Sequence, residues 1–109
     1  MNLVKRIYRA TQNFPKEDIY GLTNQLRRAA VSVPSNLAEG YGRFSRKEFR
    51  VFIGRPRESL LEVETQLEIA QELGFLNLPM AAQLVTEARE IGRMLNGLKV
   101  WCESPVAEG

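Results

Sequence analysis

Apolar residues recur at every third or fourth position in four long segments of the chain, separated by proline, glycine and capping residues. This spacing follows one face of an α-helix, and it predicts helices at about residues 2–14, 22–41, 46–73 and 78–103. No segment shows the strict alternation that is typical of a half-buried strand. Four helices with short connections predict one all-α domain over residues 1–109, an antiparallel up-down-up-down four-helix bundle.

The repeating apolar positions are the predicted core of this bundle. They are Leu3, Ile7, Ala10 and Phe14 in helix 1; Leu22, Leu26, Ala29, Val33, Leu37 and Gly40 in helix 2; Phe49, Phe52, Pro56, Leu60, Val63, Leu67, Ala70 and Gly74 in helix 3; and Leu84, Ala88, Ile91, Leu95, Leu98 and Cys102 in helix 4. Each set occupies the narrow stripe that a bundle helix turns toward its neighbours.

The ends of the helices carry local signals. Ser45–Glu48 fits the capping box, and Phe44 and Phe49 flank it at the positions of a hydrophobic staple. Gly40 and Gly42 are expected to provide a left-handed cap at the end of helix 2.

Composition restricts the class of protein. An apolar fraction of 44% and a charged fraction of 26% are typical of a soluble globular chain, and no apolar run reaches the ~20 residues that cross a bilayer. With one cysteine and no secretory signal, the chain is expected to be cytoplasmic, without a membrane partner. Histidine is absent, which removes the commonest general base and metal ligand. We therefore expect no enzyme activity, no catalytic residue, no cofactor and no metal site.

Helix 1 is shorter than the other three, so it is expected to leave part of the core exposed. Either a neighbouring subunit fills the gap, or the natural chain extends further at its N-terminus. Many apolar residues also lie off the main stripes: Ile19, Tyr20, Val31, Tyr41, Val51, Leu61, Ile69, Phe75, Val85, Met94, Val100 and Trp101. They indicate either a wider core or a second face that is buried on homo-oligomerisation, and we favour the second interpretation.

Basic residues cluster around the start of helix 3, although the net charge of the chain is only +2. A solvated helix end is one interpretation of such a cluster, and contact with nucleic-acid phosphates is the other. The candidate nucleic-acid-binding residues are Arg27, Arg28, Arg43, Arg46, Lys47, Arg50, Arg55 and Arg57.

A polar stripe accompanies the apolar residues of helix 2 and consists of Arg28, Ser32, Asn36 and Glu39. It is either a surface stripe or a buried polar layer that fixes the register of the bundle, with Thr65 or Gln66 of helix 3 as a possible partner. We favour the structural layer. Its Ser and Asn side chains would satisfy the carbonyl that Pro34 leaves free.

The stretch "FPKEDIYGLTNQLRRAAVSVPSNLAEGYGRFSRKEF", followed by "SLLEVETQLEIAQELGFL", resembles the four-helix-bundle family of 23S rRNA intervening-sequence proteins. The resemblance covers Phe14 to about Leu76. The accessory variability determinant of diversity-generating retroelements is similar in architecture. The resemblance implies a ring, typically a homopentamer, and a link to RNA, because some members are encoded inside rRNA genes.

Two features depart from the family pattern. Family members usually have more of helix 1, and they carry small residues before the serine of helix 3, where this chain has "GRPRES". Pro56 removes the hydrogen bond to the Phe52 carbonyl and predicts a kink. Taken together, the residues and the resemblance predict a non-enzymatic oligomeric scaffold that binds RNA or a nucleoprotein partner; the alternative is a protein–protein adaptor with no nucleic-acid role.

Overall fold

The computed structural model describes residues 1–18, 21–43 and 45–103, without the side chain of Arg43. Its elements are α1 (Asn2–Thr11), a 3₁₀ turn (Lys16–Asp18), α2 (Leu22–Arg43), α3 (Arg46–Phe52), α4 (Gly54–Glu72) and α5 (Leu78–Glu103). All regular secondary structure in these residues is helical. Because α3 and α4 together form the predicted third helix, the all-α four-helix bundle with a short first helix is confirmed.

Contacts between the helices show the antiparallel order. Glu64 meets Arg89 near the middle of the α4–α5 pair, and Arg50 of α3 meets Glu103 at the end of α5. Residue numbers therefore rise along one helix as they fall along its neighbour. The same holds for α2 against α4 and for α1 against α5. The chain therefore runs up and down through a rod of 54 × 24 × 18 Å.

The core lies along the predicted apolar stripes. Leu26, Val33, Val63, Leu67 and Leu84 are among its most deeply buried side chains. Every residue of the predicted stripes is buried or half-buried except Gly74, which is exposed after the end of α4. Burial of this apolar surface is the main favourable term for folding.

Two predicted helix ends differ from the structure. α1 ends at Thr11 and not near residue 14, because the Thr11 hydroxyl donates to the Ile7 carbonyl at 2.8 Å and Phe14 N closes a turn onto Thr11 O at 3.1 Å. α2 runs on to Arg43, so Gly40 lies inside the helix and does not form the expected left-handed cap. Among the described residues, Gly74 is the only glycine with positive φ.

The predicted third helix is interrupted at Ile53, three residues before Pro56. Because Pro56 lies in the first turn of α4, its missing N–H falls where helical N–H groups have no partner within the helix. α3 has its own start, since the Ser45 hydroxyl accepts a hydrogen bond from Glu48 N at 3.2 Å. The staple partner Phe44 lies outside the described residues.

The turn between α4 and α5 has a Schellman geometry. Phe75 N donates to Ala70 O at 2.9 Å, and Gly74 N donates to Gln71 O at 3.0 Å, with Gly74 at φ 79°. The next helix begins at Asn77, whose side-chain oxygen accepts from Met80 N at 2.8 Å. After this turn α5 runs antiparallel to α4. This arrangement places the basic residues of α5 beside those of α3 and α4.

Candidate nucleic-acid interface

Arg46, a member of the predicted basic cluster, is the first residue of α3. Its guanidinium carbon lies 3.8 Å from the ring centroid of Trp101, and its Nη2 donates to the Trp101 carbonyl oxygen. Nε and Nη1 of Arg46 are buried and have no hydrogen-bond partner among the residues that the structure describes. Arg46 therefore fastens α3 to the end of α5.

Arg50 lies one turn further along α3 and faces α5. Its Nη1 is 3.5 Å from Glu103 Oε1. Arg50 also lines a pocket of about 310 Å³ together with Arg57 of α4 and Lys99 of α5. Three cations from three helices therefore surround one small depression.

Arg57 also lines a second pocket, of about 400 Å³, on the same α4–α5 side of the bundle. Arg89 and Arg93 of α5 line this pocket from the other side. Arg89 Nε lies 2.9 Å from Glu64 Oε1, so one of these cations is held in an ion pair.

Because Arg57 lines both pockets, they form one surface, which we call the basic groove: Arg50, Arg57, Arg89, Arg93 and Lys99. Its ends carry the ion pairs of Arg50 and Arg89. No ion pair of Arg57, Arg93 or Lys99 occurs within residues 1–18, 21–43 and 45–103. The positive charge is therefore concentrated at the centre of the groove, where it creates a potential that attracts anions.

Two further candidates on α2 lie away from the groove. Arg27 Nε donates to Thr11 Oγ1 at 2.7 Å, and its guanidinium carbon lies 4.7 Å from the Tyr8 ring centroid, so Arg27 joins α2 to α1. Arg28 is exposed and lines a separate depression with Glu62. The structure does not bring these two arginines to the groove.

The last candidates also lie outside the groove. Lys47 is exposed on α3, and Arg55 is exposed with its guanidinium carbon 4.9 Å from the Phe52 ring centroid. The Arg43 side chain falls outside the described residues. Of the eight predicted residues, Arg50 and Arg57 are thus the two that the structure brings together in the groove.

The groove residues that sequence reasoning missed all come from α5. Arg89 and Arg93 are four residues apart on one face of the helix, and Lys99 lines the neighbouring pocket that also contains Arg57. A signal was present, since an antiparallel bundle places the end of the last helix beside the start of the third. Because these residues are far in sequence from positions 43–57, they were not predicted to belong to the same basic cluster.

The predicted polar layer is centred on a pair of serines. The Ser32 and Ser59 hydroxyl oxygens lie 2.5 Å apart and join α2 to α4. Asn36 is half-buried and its Nδ2 donates to the Ser32 carbonyl at 2.8 Å, while α2 continues through Pro34 without a break. The layer thus includes Ser59, which sequence reasoning had not chosen.

The other predicted members of the layer lie at the surface. Arg28 and Glu39 are both exposed, although they lie on the same face of α2 as Ser32. Of the two predicted partners, Thr65 is exposed, and Gln66 is half-buried with an Oε1 atom that has no hydrogen bond among the described residues.

An exposed apolar surface continues the line of α1. On α2, Arg27 contacts α1, and Tyr41, two heptads further on, is 84% exposed. On α5, Glu87 binds Arg6 of α1, and Met94 and Trp101 follow at intervals of seven. Residues seven apart lie on the same helix face. We call Tyr41, Met94 and Trp101 the α1-side surface.

α1 does not reach the α1-side surface. Asn2 lies beside Glu90 in a shared pocket. α5 extends from Glu90 to Glu103, about 20 Å further at 1.5 Å per residue. The bundle therefore exposes these apolar side chains along the path that a longer α1 would cover. The other exposed residues predicted to lie off the main stripes are Val31, Val51, Leu61, Ile69 and Val100, while Phe75 and Val85 are half-buried and Ile19 and Tyr20 lie outside the described residues.

No group of three or more His, Cys, Asp or Glu residues suited to a metal ion occurs within the described ranges. Cys102 is buried with the core residues of α5. None of the helices that the structure describes is long and apolar enough to cross a bilayer.

The fold and the site define an all-α bundle protein with a basic groove between its last two long helices and an apolar surface beyond its first. The family model of the 23S rRNA-intervening sequence protein matches residues 1–97. The chain belongs to this family, which confirms the resemblance found in its central segment. The comparison with curated proteins gave no match.

Proposed function

We propose that the protein is a non-enzymatic, oligomeric scaffold that binds RNA, free or within a nucleoprotein, through the basic groove. The observation that carries this proposal is the convergence of Arg57, Arg93 and Lys99 from two helices on one surface. The family, named for a segment of 23S rRNA, makes RNA the phosphate-bearing partner to test first.

Electrostatics supports the groove over the remaining basic residues. Cations that neutralise phosphates release bound counterions, and this release supplies most of the sequence-independent affinity for nucleic acid. Arg27 and Arg46 are committed to contacts within the protein. Among the residues that the structure describes, the three central cations of the groove have no carboxylate partner, so binding a phosphate there breaks no existing ion pair.

The test is charge reversal in the groove. The groove variant carries Arg57→Glu, Arg93→Glu and Lys99→Glu. The control variant carries Lys5→Glu, Arg9→Glu and Lys16→Glu, three exposed cations outside the groove. Both variants change the net charge by the same amount. Binding of a labelled ribosomal RNA fragment is measured by fluorescence anisotropy over a range of salt concentrations.

We expect the groove variant to lose at least about a hundredfold in affinity and the control variant to lose much less. The salt dependence of the groove variant should also become shallower, because fewer counterions are released. Equal losses in the two variants would mean that total charge and not the groove determines binding, and the proposal would then be wrong.

Assembly is the second part of the proposal. The α1-side surface carries three large apolar side chains, with exposed fractions of 84% at Tyr41, 73% at Met94 and 55% at Trp101. Exposed apolar residues in one place mark contact sites with other proteins. We propose that a second copy of the chain covers this surface, and that the copies form the ring that the family resemblance implies.

The same surface also favours a second candidate function, a protein–protein adaptor with no role in RNA binding. An adaptor would keep the α1-side surface free of other copies and available to a different protein. The native mass of the purified protein separates the two, since a monomer is compatible with the adaptor alone.

A further inference from the structure

We infer that the basic groove binds double-helical RNA along its phosphate backbone and does not select base sequence. This inference rests on the proposed function and specifies the form of RNA that the groove accepts. The groove is straight and extended, because its two ion-paired ends, at Arg89 and Glu103, are 14 residues apart on one unbroken helix. That separation is about 21 Å.

The lining of the groove argues against single-stranded RNA. Among the described residues that line its two pockets, none is aromatic; the apolar ones are Val51, Ile53, Leu60 and Leu61. Proteins that hold single strands stack the bases on aromatic side chains, which compensates for ordering a flexible chain. This groove has cations for phosphates but no platform for bases.

The nearest exposed aromatic residues do not change this conclusion. The Trp101 ring is stacked with the Arg46 guanidinium, and the Tyr41 ring meets Phe49 edge-on with centroids 6.5 Å apart. Both belong to the α1-side surface and line neither pocket of the groove. A base that stacked on Trp101 would lie outside the row of groove cations.

A double helix fits the groove better. Its phosphates are already fixed in regular rows, so binding orders no flexible chain, and A-form RNA is recognised mainly through phosphates and 2′-hydroxyls. The groove offers three cations without carboxylate partners on two rigid antiparallel helices. Asn96 is the one side-chain amide in the lining, which is too little for sequence readout.

The experiment compares a labelled RNA duplex with each of its separated strands and with a second duplex of shuffled sequence. The unaltered protein, the groove variant and the control variant are measured by fluorescence anisotropy over the same range of salt concentrations. We expect the two duplexes to bind equally and at least about tenfold more tightly than either strand. The groove variant should lose this preference, and the slope of log Kd against log salt should fall by about three.

The outcomes separate this inference from the proposed function. Tighter binding of single strands that still depends on the groove would overturn the inference and leave the proposed function standing. A loss of RNA binding in Trp101→Ala that equals the loss in the groove variant would also overturn the inference and leave the proposed function standing. If no RNA binds, or if the groove variant binds like the control, both are wrong. Should the groove variant fail to fold, Arg93→Glu alone, at an exposed position, provides the same comparison.

Discussion

Gly40 of α2 lies so close to α3 that the structure leaves no room for a side chain at this position. A Cβ built there would come 2.5 Å from Cδ1 of Phe52 and 3.0 Å from Cε2 of Phe49. Both rings are buried parts of α3. Gly40 therefore allows α3 to pack directly on the backbone of α2.

We predict that Gly40→Ala destabilises the protein by about 1–3 kcal/mol, because the Phe52 ring has to move out of its packed position. The matched control is Gly42→Ala in the same helix, where nothing lies within 4 Å of the new Cβ. That substitution should stabilise the protein by up to about 1 kcal/mol through higher helix propensity. Urea unfolding at equal protein concentration measures both, and a stabilised Gly40→Ala would contradict the close approach.

Among the elements, α3 is the one whose position depends most on a few individual contacts. It has seven residues, and the break at Ile53 separates it from α4. A helix of this length is not stable by its own propensity. It is held by the Ser45 cap, by the burial of Phe49 and Phe52, and by the contact of Arg46 with α5.

We predict that Ser45→Ala costs about 1 kcal/mol, since the amide of Glu48 loses its hydrogen-bond acceptor. Ser45→Asp keeps an acceptor at the cap and should stay close to the unaltered protein. Hydrogen exchange locates the effect: amides of α3 should exchange faster in Ser45→Ala, with little change in α4. Uniform acceleration across both helices would show that α3 and α4 unfold as one unit.

The α3–α4 break also shows what sequence can predict about an element. The missing hydrogen bond of Pro56 was readable and implied a kink. The position of the break at Ile53 was not, because it depends on how Phe49 and Phe52 pack against Gly40. The Asp18 side chain, which accepts from Thr23 N at 2.9 Å before α2, was likewise missed because it lies outside the usual cap position.

For the whole molecule, the consequence of the short first helix is that α2 and α5 expose Tyr41, Met94 and Trp101. We predict that Met94→Asp reduces the native mass of the assembly, because it places a charge in the proposed subunit contact. Leu78→Asp, at an exposed position at the start of α5, is the control and should leave the mass unchanged. Light scattering measures both, and a monomeric unaltered protein would refute the assembly.

Properties that depend on one helix could be predicted from the sequence, whereas properties that depend on the packing of two helices could not. The bundle followed from the spacing of apolar residues such as Leu26, Val33 and Leu67, because periodicity is written along one helix. The basic groove combines Arg57 with Lys99, which are 42 positions apart in sequence. Only the packing of α4 against α5 brings such residues together, so the segment around residues 43–57 showed two of the five groove residues.

The packing of α4 against α5 also makes the folding equilibrium depend on the charges of the groove residues. Arg57 is far from Arg93 and Lys99 in the unfolded chain and is held close to them only in the folded one, so its repulsion with these two cations opposes folding. An anion that binds between them removes this repulsion and stabilises the folded state. At a ligand concentration one hundred times Kd the gain is about 2.7 kcal/mol. The melting temperature of the protein should therefore rise with the concentration of the anion, and it should keep rising after the groove is fully occupied.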